Sequence, residues 1–144
     1  MKFFETHFDE YLQINNLHPK LEKYYKNFPD NVENLNNLIF YGPPGIGKYS
    51  QVLHAIKKYS PSNLKYEKKI SINFNKNIYN FKISDIHYEI DMSLLGCQPK
   101  LLWNDIILQI IEIIYITKSN NTGIVVCKYF EKINTELLEI FYSY

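Results

Sequence analysis

Apolar positions recur along the chain with two different periods, and the places where the period changes divide it into elements. From residue 3 to 14, Phe4, Phe8, Tyr11 and Leu12 fall at helical spacing and predict a short amphipathic helix, broken by Asn15 and Asn16. Pro19 is placed to open a second helix, with Leu21, Tyr24, Tyr25 and Phe28 on its apolar side. Lys20, Lys23 and Lys26 line much of the other side, a face that ordinarily meets water and alternatively meets DNA phosphates or another subunit. Pro29 ends this helix, and Asp30 to Asn37 reads as a polar loop. The run Leu38-Ile39-Phe40-Tyr41 then predicts a first buried strand, and Val52, Leu53, Ile56 and Tyr59 restore a helical period up to Ser60-Pro61.

Beyond Pro61 the period drops to two. Ile70, Ile72 and Phe74 alternate with polar neighbours, Asn75-Lys76-Asn77 makes a turn, and Tyr79, Phe81 and Ile83 alternate again, which predicts a one-faced β-hairpin. Ile86, Tyr88 and Ile90 give a separate short strand ending at Asp91-Met92-Ser93. Residues 99 to 117 are rich in isoleucine, yet Asp105, Gln109 and Glu112 are spaced four and three apart, a single polar stripe on a helix. Trp103 on that helix reads as core or interface in preference to a base-stacking platform. Ser119 to Gly123 is a loop, and Ile124-Val125-Val126-Cys127 is a continuous apolar run of the kind found in central parallel strands. Asn134 or Thr135 caps a last helix through Leu137, Leu138, Ile140 and Phe141. This order of elements is α/β, with parallel pairing expected for the strands outside the hairpin.

The candidate chemistry lies between the first predicted strand and its helix, at Gly42-Pro43-Pro44-Gly45-Ile46-Gly47-Lys48-Tyr49-Ser50. A glycine turn between a strand and a helix N-terminus, followed by lysine, is the order of a phosphate-binding loop. The glycines admit backbone angles closed to other residues, the loop's N–H groups and the helix dipole attract anions, and Lys48 carries a charge able to reach β- and γ-phosphates. The bland alternative is a Gly/Pro turn that binds nothing. One position departs from the pattern: Tyr49 stands where a Ser or Thr hydroxyl would hold Mg²⁺, and Ser50 follows one residue late. Nucleotide binding is therefore better supported than metal-assisted hydrolysis.

Composition narrows the picture further. A net charge of +1 advertises no strong attraction to nucleic acid or an acidic membrane. No segment has the length of a membrane span and the N-terminus lacks a signal peptide's apolar stretch, so the expectation is an intracellular protein of cytoplasm or nucleus, not secreted. Cys97 and Cys127 have no paired spacing and read as reduced thiols, and the histidines His7, His18, His54 and His87 form no metal pattern. All the basic side chains are lysines, so the chain can supply no arginine finger to a phosphoryl-transfer site.

With these residues in view, Phe40 to Ser50 resembles the phosphate loop of the AAA+ ATPases, and later landmarks are similar to sliding-clamp loaders, in particular a small replication factor C subunit. His87 to Gly96 resembles the clamp-loader segment of strand, Asn, any residue, Ser, Asp, two residues and Gly; Ser93 and Gly96 match it, while Asp91 and Leu94 depart from it. Gly123 to Leu138 is similar to the strand and helix carrying the family's second nucleotide motif. The resemblance implies a P-loop NTPase, AAA+-like three-layer core with parallel strands and an inserted hairpin over 38–144, preceded by a helical segment over 1–37. It implies ATP or ADP as ligand, with other clamp-loader-like subunits and a sliding clamp as partners, DNA reached through the assembly, and no membrane.

The same resemblance exposes losses. The family's Asp-Glu pair falls on Lys128 and Tyr129, and Glu131 lies three residues past Lys128. The family's next strands and helical lid are missing, so the chain reads as a truncated core, or as one in which the strands at 38–41 and 124–127 pair directly. The expectation is a nucleotide-binding subunit with weak or absent hydrolysis. Two alternatives stay open: a small active P-loop ATPase or phosphotransferase using Asp85, Glu89 or Asp91, and a scaffold fragment whose phosphate loop is a relic.

Overall fold

The computed structural model describes residues 4–5, 8–13, 16–117 and 122–144. His7, Asn15 and the first part of the predicted loop at Ser119 lie outside the described residues. The chain forms two compact units: Met1–Lys68 with Ser84–Ile86, and Lys69–Ile83 with His87–Tyr144.

In the first unit, β1 (Phe4–Glu5) pairs antiparallel with the opening residues of β2 (Tyr66–Phe74), Phe4 opposite Glu67. The helix predicted over 3–14 is therefore shorter, α1 covering Phe8–Gln13. The second predicted helix begins at Pro19 as a 3₁₀ turn over Pro19–Leu21 and continues as α2 (Glu22–Lys26), Pro19 supplying the preset φ that suits a first helical position. α3 (Lys48–Ile56) is the centre of this unit, contacted by both α1 and α2. Its buried face carries Gln51, Leu53, Ala55 and Ile56, and Phe8 and Leu64 are buried in the same unit. Asp85 accepts hydrogen bonds from Ser60 Oγ at 2.6 Å and Ser62 N at 2.8 Å, so this acid serves to fix the Ser60–Leu64 turn.

The second unit is built on a mixed sheet of strand order β2-β3-β4-β5, with β3 at Asn77–Ile83, β4 at His87–Asp91 and β5 at Ile124–Lys128. β2 and β3 are the predicted hairpin. Asn75 and Lys76 both have positive φ, 48° and 65°, as the two-residue turn that matches strand twist requires. β3 and β4 are antiparallel (Ile83 opposite Tyr88), whereas β4 and β5 are parallel (Tyr88 opposite Val125). The expected parallel sheet is thus corrected to a mixed one with a single parallel pair. β5, predicted to be central, is an edge strand: among the described residues its only neighbour is β4, and its outer side has no ladder.

One face of this sheet packs Ile72, Phe81, Ile83, Tyr88 and Ile90 against Leu102, Trp103, Ile106 and Ile110 of α4 (Pro99–Thr117) and Leu137 of α5 (Thr135–Phe141). Trp103 is core, as its position predicts; its ring lies 4.8 Å from that of Phe141, and its Nε1 donates to Tyr144 Oη at 3.3 Å. Asn134 caps α5 by accepting from Glu136 N at 2.8 Å. The burial of Tyr88 and Cys127 pushes both groups up to about 12, so both stay neutral. No helix among the described residues is long and apolar enough to cross a membrane.

Candidate functional site

The predicted phosphate loop is a turn, but no strand leads into it. Residues 35–41 belong to no helix or strand and have no sheet partner among the described residues, and Ile39 and Tyr41 are 92% and 96% exposed. The strand predicted at Leu38–Tyr41 is corrected here, and with it the direct pairing of that strand with 124–127. Four apolar residues carry no period long enough to separate a strand from an unpaired linker; a ladder partner decides it, and none is present among the described residues.

The turn itself has the backbone that its glycines predict. Gly45 and Gly47 take φ of 80° and 82°, and Gly47 is the N-cap of α3. A Cβ on Gly42 would stand 2.5 Å from Ile46 Cδ1, so the Ile46 side chain closes over Gly42. Pro43, Pro44 and Gly45 are exposed at the tip, while Ile46, Gly47, Lys48, Tyr49 and Ser50 are half-buried. No side chain caps α3, so the N–H groups of its first turn have no side-chain acceptor at Gly47. Lys48 Nζ folds back over the turn, donating to Gly42 O at 2.7 Å and Pro43 O at 2.6 Å. The cation is therefore held by two carbonyls of its own loop.

Four residues that sequence reasoning did not assign to the site form the support of this turn. His18 Nε2 is 2.8 Å from Ile46 O. Gln51, buried on α3, donates from Nε2 to Asn16 Oδ1 at 2.8 Å and accepts from Tyr25 Oη at 3.0 Å. Burial raises the Tyr25 phenol above its usual range, keeping it a hydrogen-bond donor. Asn16 Oδ1 also accepts from His18 N, which joins the two supports. Tyr49, which stands where the sequence pattern expects Ser or Thr, packs edge-on against Tyr11 with ring centroids 4.9 Å apart. Its bulk serves the α1–α3 contact, which explains why the position tolerates a phenol.

The second unit contains Lys128, Tyr129 and Glu131, the residues compared above with a second nucleotide motif. Lys128 Nζ is 3.7 Å from Glu89 Oε2, and the other carboxylate oxygen of Glu89 is 3.2 Å from His87 Nε2. His87 and Glu89 are buried on the sheet face opposite Tyr88 and Ile90, because residues two apart on a strand share a face. Tyr129, in the second acidic position, is exposed with φ of 52°, and Glu131 is exposed in the 3₁₀ turn Phe130–Lys132. Asp91 accepts from Ser93 N at 2.9 Å and from Ser93 Oγ at 2.5 Å, capping the 3₁₀ turn Met92–Leu94. Among the described residues no group of three or more His, Cys, Asp and Glu side chains is placed to hold a metal ion. No family model, curated protein or solved structure matches this chain.

Proposed function

We propose that the turn Gly42–Ser50 binds the phosphate tail of ATP or ADP without cleaving it, and that the chain acts as a clamp-loader-like subunit in DNA replication. The observation that carries the binding is the left-handed pair Gly45 and Gly47 leading into an α3 whose first turn has no side-chain cap, with Lys48 at its start. Backbone donors converging at a helix N-terminus beside a lysine attract a polyphosphate. Lys48 would exchange two carbonyl partners for phosphate oxygens, which is the same ammonium in a stronger charge-assisted contact.

Four features support binding without turnover. The Tyr49 ring is engaged with Tyr11, Lys128 is paired with Glu89, Asp91 caps its own turn, and the sequence contains no arginine. Positioned groups of this kind supply orders of magnitude in rate, so their replacement leaves little catalysis. The role in replication, with related subunits, a sliding clamp and DNA as partners, rests on the resemblance of Phe40–Ser50 and His87–Gly96 to that family. The scaffold alternative draws on one observation, the unpaired and exposed segment before the turn.

Titration with a fluorescent ATP analogue, with and without Mg²⁺, tests the proposal. Saturable binding that Lys48→Ala abolishes is expected, with no phosphate release. Absence of binding at millimolar nucleotide removes the idea, and phosphate release eliminated by Asp91→Asn transfers it to the active-enzyme alternative. A melting curve separates binder from scaffold, since ligand at a hundredfold over Kd stabilises by about 2.7 kcal/mol.

A further inference from the structure

The helix α4 has two apolar faces, and only one is used. Its inner side, around Leu102, Trp103, Ile106 and Ile110, is core. On the opposite side Leu101, Asn104, Leu108, Ile111 and Tyr115 follow one another at spacings of three and four, and all are exposed, Leu108 at 59% and Tyr115 at 71%. A helix in contact with water on one side ordinarily carries polar residues there. Spacings of three and four are instead the seam of a coiled coil, with Leu101, Leu108 and Tyr115 in the first core position of each heptad and Asn104 and Ile111 in the second.

We propose that this face pairs in parallel with the same face of a second copy of the chain. A two-fold dimer matches each residue of the seam to its own counterpart or a neighbour. In parallel alignment Asn104 meets Asn104 of the other copy, so its amide finds an amide; in antiparallel alignment a second core position faces a first one, and Asn104 would meet Leu101, Leu108 or Tyr115 instead of an amide. Charge makes the same choice. Lys100 and Asp105 flank the seam on opposite sides, five residues apart, the spacing at which a parallel pair joins one helix to the other. Two such bridges form per dimer. Neither side chain has an ion pair within the chain among the described residues, and residues five apart on one helix do not face each other. In antiparallel alignment the flanking acids Asp105 and Glu112 would meet one another and repel.

The helix is already formed and held by its core side, so pairing does not have to offset helix nucleation. Two heptads bury less than the ~1,600 Å² of a standard interface, so the dimer is a weak one that depends on concentration.

Sedimentation equilibrium on the full chain up to about 100 µM, a range in which weak dimers populate, tests this. The wild-type chain dimerises, and Leu108→Glu is monomeric with an unchanged melting temperature as measured at low concentration, where the monomer dominates. Lys100→Glu and Asp105→Lys each weaken the dimer about tenfold, because two attractions become repulsions, and the double variant recovers wild-type affinity. A monomeric wild type, or a dimer that Leu108→Glu leaves intact, overturns the proposal. A dimer lost with Leu108→Glu but indifferent to the charge exchanges overturns its parallel alignment.

Discussion

Glu89 and Lys128 give the sharpest quantitative test, because each can be altered alone and together. At 3.7 Å, an effective dielectric near 20 puts their gross attraction at about 4 kcal/mol. Desolvation of Glu89, buried in β4, offsets much of it, while Lys128 keeps 34% of its side chain exposed and loses less hydration. The net coupling should therefore fall between a surface pair at about 0.5 kcal/mol and a fully buried pair at about 3 kcal/mol, near 1–2 kcal/mol. Lys128→Gln leaves a buried carboxylate short of a cation, and Glu89→Gln leaves the ammonium without its anion while preserving an acceptor toward His87. Each is expected to destabilise by about 2 kcal/mol, and the double variant by at least 1 kcal/mol less than their sum. Trp103, the chain's single tryptophan, reports on the unit that holds the pair, so urea unfolding followed by its fluorescence is the assay. Circular dichroism run in parallel checks that the transition is two-state, and an unchanged m-value assigns the effect to stability. Additive effects, with coupling below ~0.3 kcal/mol, would refute the ion pair.

Four further outcomes follow from the packing. Lys76→Gly supplies the residue that prefers positive φ at the hairpin turn and should stabilise by about 0.5–1 kcal/mol, read as a rise in the urea midpoint; a fall would contradict the turn geometry. Leu102→Ala removes a fully buried side chain from the sheet–helix core and should destabilise by about 2–5 kcal/mol, whereas the same change at exposed Leu101, in dilute protein, should stay within about 0.5 kcal/mol. Burial raises Cys127 and Tyr88 to about 12 in the folded state, so the unfolded chain releases these protons first. Their contribution to stability is complete below pH 9 and declines as pH climbs toward 12, which denaturant midpoints measured from pH 8 to 11 will show; a midpoint that rises over that interval contradicts the assignment. In the same folded state iodoacetamide at pH 8 should label exposed Cys97 and spare Cys127.

Much of the second unit was legible in the sequence because its elements declare their own period. The alternation around Asn75-Lys76 placed the hairpin, and the stripe of Asp105, Gln109 and Glu112 identified α4 as a helix despite its isoleucines. The same alternation says nothing of what His87 and Glu89 meet. Polar residues two apart on a strand normally mark a wet face, but here that face is buried and the carboxylate is neutralised by partners nearby. At the candidate site the glycine conformations could be read locally, since Gly45 and Gly47 are adjacent to the helix they open. What supports the turn could not, because His18 and Gln51 act across 28 and 35 residues of sequence. Leu38 to Tyr41 failed for a related reason: whether a short apolar run becomes a strand depends on a neighbour that its own residues do not encode.

The stowed ammonium of Lys48 sets a threshold on what the turn can admit. A visitor gains nothing from that charge until it outcompetes the oxygens of Gly42 and Pro43, which are already at hydrogen-bond distance. Chloride or a lone carboxylate has too little to offer in such an exchange, whereas a chain of phosphates brings several charged oxygens at once. Discrimination would then come from the contacts of Lys48 with its own loop, and a variant that shortened this side chain would lose selectivity along with affinity.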